Sequence, residues 1–172
     1  MANNRLPNQA LWLDAAITSM NVTALAYEGQ LGAILEKDGC VYQVVKVKST
    51  SSAITAGIPV CWSDFDDFTV SAEIDDIKRN YAAGLAVGTI TAGSYGFIQV
   101  AGPYSAAISD GLVAAAGDAL FMSATDGQLT KLAAGTAPTY ITFGVATATS
   151  GGAVATLASG TVAMYLNCPR NY

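Results

Sequence analysis

The sequence predicts an all-β fold, a β-barrel or β-sandwich of short antiparallel strands with an extended N-terminal arm. Three observations predict it. Segments rich in Val, Ile, Thr and aromatic residues recur through the second half, with glycine about every eight to twelve residues, the spacing of successive strands and turns. Three Asp-Gly steps, Asp38-Gly39, Asp110-Gly111 and Asp126-Gly127, fall where tight turns need a positive φ. The last apolar segment sets Val162, Met164 and Leu166 against Thr161, Ala163 and Tyr165, which is the two-residue period of a pleated strand.

The elements follow in chain order. Residues 1–29 hold no clean period: Leu13, Ala16, Ile17 and Met20 fit one helical face, and Asn21-Val22-Thr23 breaks it. They read as an arm whose apolar residues Leu11, Trp12, Leu13, Ile17 and Met20 pack on another subunit or fold back on their own domain. Residues 30–172 read as a single β domain, which a chain of 172 residues is long enough to fill with a core. Its first unit is a hairpin, Leu31 to Glu36 and Cys40 to Lys48, turning at Asp38-Gly39. In the second strand Tyr42, Val44, Lys46 and Lys48 share a face that should be wet, and Val41, Val45 and Val47 share the buried one. Further strands are expected over Leu85 to Thr91, Tyr95 to Val100, Tyr104 to Ile108, Ala119 to Ser123, Gln128 to Leu132, Tyr140 to Thr147 and Thr161 to Asn167. Trp62, Tyr95, Phe97, Phe143 and Tyr165, scattered singly, suit core or subunit-contact roles, as does Trp12.

Composition excludes several functions. With no histidine the chain lacks the commonest general base and the commonest metal ligand, which removes most hydrolase and zinc-enzyme chemistries. An acidic balance of 13 against 8 repels phosphate backbones, so no nucleic-acid partner is expected. No apolar run is long enough for a transmembrane helix and no secretory signal opens the chain, so neither a membrane partner nor secretion is expected and synthesis in a cytoplasm is the default. Cys40, Cys61 and Cys168 are odd in number and widely spaced, which suits buried free thiols better than disulfides or a metal site. Charged residues make up only 12% of the chain and mean hydropathy is +0.38. From Asn80 to Pro169 the ionisable charges are Asp110, Asp118, Asp126 and Lys131 alone, a stretch that needs covering by its own fold or by neighbours.

Candidate chemistry is sparse. Gly93-Ser94-Tyr95-Gly96 resembles a nucleophile elbow superficially, yet Ala92 precedes it and no histidine can activate the serine, so it reads as a turn. Asp64, Asp66, Asp67, Glu73, Asp75 and Asp76 form the one polar cluster. Their spacing does not match a calcium loop, and a solvated acidic loop is the simplest reading. A contact from Asp64, Asp66 and Asp67 to a basic neighbour is the functional alternative, with Lys78 and Arg79 of an adjacent copy as candidate partners. No catalytic residue, cofactor or metal is assigned.

Two motifs then suggest a family. The strand Tyr95-Gly96-Phe97-Ile98-Gln99-Val100, preceded by Gly84-Leu85-Ala86-Val87-Gly88, and the turn Ala116-Gly117-Asp118-Ala119-Leu120, followed by Thr125-Asp126-Gly127 and Gly144-Val145-Ala146, resemble small β-rich virion proteins of tailed bacteriophages, in particular capsid decoration or cement proteins. The resemblance covers roughly residues 80–168. It implies a β-barrel or sandwich, not an enzyme, on the capsid surface, a homotrimer contacting the major capsid protein and itself through extended termini. A phage tail or fibre domain, or a bacterial adhesin binding a receptor or glycan, is the alternative. Residues 1–79 carry no motif of this family.

Overall fold

A computed structural model describes residues 31–75, 81–111, 114–131, 141–147 and 160–168. Among these residues the protein is all-β, with ten strands and no helix. The hairpin predicted at Asp38-Gly39 forms between β1 (Ile34–Lys37) and β2 (Cys40–Val47), with positive φ at both turn residues, as a tight hairpin of this twist requires.

Five strands close into a barrel. β2 pairs in parallel with β4 (Thr69–Ser71), which pairs with β3 (Pro59–Asp64), which pairs with β5 (Ala82–Ala86). β5 then pairs with β6 (Tyr95–Ile108), and β6 returns to β2 through Val44 opposite Phe97 and five neighbouring pairs. Closure removes the open edge that a five-stranded sheet would otherwise expose.

β6 is long enough to serve two sheets. Beyond Gly102, at φ +102°, its second half pairs with β10 (Thr161–Asn167), which pairs with β9 (Gly144–Ala146). β9 pairs with β7 (Ala119–Met122) and β7 with β8 (Leu129–Lys131). A parallel bridge from Ser109 to Leu129, with the Asp110 amide donating to the Leu129 carbonyl at 3.0 Å, brings β8 back to the end of β6. The second sheet thus curls into a ring that shares β6 with the first.

One contiguous apolar core runs through both rings, from Val45, Val60 and Ile98 to Leu120, Phe143 and Leu166. The alternation predicted for the last strand holds: Val162, Met164 and Leu166 are buried and Tyr165 is exposed. All three cysteines are buried free thiols, and burial pushes Cys168 well above the usual thiol range.

Several sequence expectations are corrected. Val44, expected on the wet face of β2, is buried with Phe97 under Leu31, Ala33, Leu35, Tyr42 and Val87, because the segment around β1 covers that side. The strand expected over Leu85 to Thr91 lies earlier, at Ala82–Ala86, and only Ile90 bridges onward, to Ile54. The two strands expected over Tyr95 to Val100 and Tyr104 to Ile108 are one, bent at Gly102. The turn at Asp110-Gly111 ends β6 without making a hairpin. β3 and β4 lie where no strand was expected, and β4 divides the acidic cluster.

Candidate functional site: two exposed surfaces

The first surface is the tip of the β3–β4 hairpin, Asp64 to Phe68. The Asp64 Oδ1 accepts the Asp66 amide at 3.0 Å, and Phe68 turns the chain with φ +49°. This turn leaves Asp64, Asp66 and Asp67 exposed together. Behind them Trp62 is buried against Phe65 and Phe68, with ring centroids 5.8 and 6.2 Å away, and Phe65 meets Tyr81 edge to face at 4.9 Å. The tip therefore presents two partly exposed aromatic rings beside three carboxylates.

Of the rest of the acidic cluster, Asp76 lies outside the described residues and Glu73 serves a different loop. Glu73 accepts the Ser52 amide at 2.6 Å, and Ile74 donates its amide to Asp126 at 2.8 Å. These carboxylates tie loops together across the fold. Among the described residues no group of three His, Cys, Asp or Glu side chains could hold a metal ion. Of the residues singled out in the sequence, Asp64, Asp66 and Asp67 are brought together; Leu11, Trp12, Leu13, Ile17, Met20, Lys78 and Arg79 lie outside the described residues.

The second surface is the outer face of the second ring. Tyr165 of β10 lies opposite Pro103 of β6 and Val145 of β9, and Val145 lies opposite Ala119 of β7. Facing partners in a sheet share a side, so the four form one apolar row. At its margin Asp118 and Lys131 form an ion pair at 3.0 Å. The Ala115 amide and then the Lys131 ammonium hold the Asp118 carboxyl below the usual carboxylate range. Alternation along β10 is enough to single out Tyr165, whereas its neighbours on other strands follow only from the pairing.

Beside β2 and β6 lies an open groove of about 280 Å³ lined by Cys40, Tyr42, Val87, Gln99, Pro103, Tyr104 and Ser105. Burial, helped by the Cys40 side chain, pushes the Tyr42 phenol up to about 12, and burial also raises Tyr104, whose hydroxyl donates to the Ala86 carbonyl at 3.0 Å. Both phenols are therefore neutral near pH 7.

No protein-family model matches the chain, and no curated protein matches it. Among solved structures, the head fiber gp8.5 N base of bacteriophage phi29 aligns at 18% identity over 74% of this chain and 94% of that one, with a TM-score of 0.42.

Proposed function

We propose that this chain is a non-enzymatic structural protein of a bacteriophage virion, carried on the capsid surface as a decoration or cement subunit. In this reading residues 30–172 form the β domain, residues 1–29 form an arm that reaches a neighbouring subunit, and the partners are the major capsid protein and further copies of the chain in a homotrimer. The observation that carries it is the way the two motifs behind the family resemblance fold. Tyr95 to Val100 opens the strand shared by both rings, where the Gln99 side-chain amide donates to the Ala101 and Pro103 carbonyls at 3.3 and 2.9 Å. Ala116 to Leu120 forms the turn into β7, where Asp118 accepts the Ala115 amide at 2.9 Å. Both motifs serve the architecture of a small closed β scaffold, the kind of rigid body that a shell lattice repeats.

The β3–β4 tip supports a second reading, a phage tail or fibre domain or a bacterial adhesin domain, because exposed Phe65 and Tyr81 beside carboxylates suit a sugar ring and its hydroxyls. Copy number separates the two. Quantitative mass spectrometry of density-purified particles should find this chain at a simple ratio, such as one or one third, to the major shell protein. A few copies per particle would favour the fibre reading, and absence from particles would overturn both virion readings.

A further inference from the structure

We propose that the outer face of the second ring, centred on Tyr165, is the surface through which copies of this chain meet one another. This deepens the virion reading and rests on its self-association. Strand register puts Pro103, Tyr165, Val145 and Ala119 in one row across four neighbouring strands, about 14 Å wide at the usual strand spacing. Tyr165 is 52% exposed and Val145 43%, the two most exposed large apolar side chains among the described residues. They are not at a frayed edge. β10 is paired on both sides, and its inward residues Val162, Met164 and Leu166 are at most 1% exposed, so the row is held rigidly and little ordering is left for binding to impose.

Charge selects the occupant. The segments that build this face, 102–108, 119–122, 144–146 and 161–167, contain no Asp, Glu, Lys or Arg in a chain of net charge −5. Asp118, the residue before Ala119, is paired with Lys131 at 3.0 Å. Copies of an acidic chain repel wherever their carboxylates approach, and this face is free of that cost. A basic or acidic partner would find nothing here to pair with. A second copy brings the same neutral, apolar row, and repetition of one patch about a rotation axis is how homo-oligomers close. Tyr165 also has the profile of an interface anchor, a large ring with a hydroxyl able to stay hydrated or hydrogen-bonded at the rim.

The test is sedimentation equilibrium of the full chain, with circular dichroism as the check on folding. The wild type should sediment as an oligomer, with self-association weakened about 30-fold or more by Tyr165→Asp or Val145→Asp and retained by Tyr165→Phe. If an aspartate variant does not fold, Tyr165→Cys decides instead: it should form a disulfide between copies under oxidation. A wild type that stays monomeric at high micromolar concentration would overturn the inference, as would an oligomer indifferent to a folded Tyr165→Asp, or a Tyr165→Cys chain that does not cross-link. Failure here is distinguishable from failure of the virion reading. Particles carrying the chain at high copy number, with a monomer in solution, would sink only this surface. A Tyr165-dependent oligomer absent from particles would sink only the virion role.

Discussion

Gly102 sits where β6 leaves the first ring for the second, and two constraints meet at it. Its φ is +102°, and a Cβ there would stand 2.7 Å from the Gly39 carbonyl oxygen and 3.0 Å from the Cys40 Cα. Both neighbours are backbone and cannot rotate away. Gly102→Ala should therefore cost about 2–5 kcal/mol, from the unfavourable backbone conformation and the overpacking together, read as a lowered urea midpoint. A second residue-scale expectation concerns Tyr42. Its phenol titrates at an ordinary 10.0 when unfolded and at about 12 when folded. The folded chain keeps a proton that the unfolded chain gives up, so this contribution to stability is full below pH 10 and is lost as pH rises towards 12. Urea titrations across that window should show a steeper loss for the wild type than for Tyr42→Phe. An equal loss would mean that Tyr42 is as solvated in the folded state as in the unfolded one. At this scale the sequence is informative wherever one residue type answers one local need. Asp38-Gly39 marks its turn correctly, and alternation puts Tyr165 on the side away from Met164 and Leu166. It is silent on Gly102, because nothing local distinguishes a glycine under close backbone approach from one in a loop.

Among the elements, β6 carries the architecture. Its 14 residues pair with β2 and β5 in one half and with β10 in the other. The bend between the halves is held by Gln99, which is 4% exposed and spends both side-chain N–H groups on the Ala101 and Pro103 carbonyls. Replacing it with methionine keeps the length and removes the donors. Gln99→Met should cost about 1–3 kcal/mol, the penalty of leaving buried polar groups unpaired, and a urea midpoint unchanged from wild type would show that water satisfies both carbonyls. Sequence reading splits β6 in two, since Gly102-Pro103 ordinarily interrupts a strand. Here the pairing partner changes across that step, so the interruption is a corner between sheets. β3 and β4 escape sequence reading for a related reason. Val60-Cys61-Trp62 and Thr69-Val70-Ser71 are short, and the carboxylates between them dominate the local composition, while burial of Cys61, Trp62, Val70 and Ser71 comes from strands distant in sequence.

The described residues form two rings sharing a strand, and their closure comes from contacts far apart in the chain. β2 meets β6 across about fifty residues of sequence and β6 meets β10 across about sixty, a topology dominated by non-local pairing. If residues 30–172 form the β domain as proposed, removing residues 1–29 should leave it folded, with the circular dichroism and urea midpoint of the full chain. The same deletion should weaken binding to capsids that lack the protein, and undiminished binding would release the arm from any part in attachment. The sparsely charged second half, with only Asp110, Asp118, Asp126 and Lys131 from Asn80 to Pro169, is visible in composition alone. Its division into a buried side and an exposed apolar row is not. The all-β class, the first hairpin and the two-sided final strand were determined by the sequence itself, because each depends on residues adjacent or two apart along the chain, and the free thiols follow from the odd count and wide spacing of the cysteines. Strand order, the closing of both rings, the burial of Val44 and the joining of Tyr165 with Pro103, Val145 and Ala119 into one surface were decided only by the tertiary structure. Alternation states which side of a strand a residue takes, whereas a neighbour across the sheet is selected by the packing of the whole core.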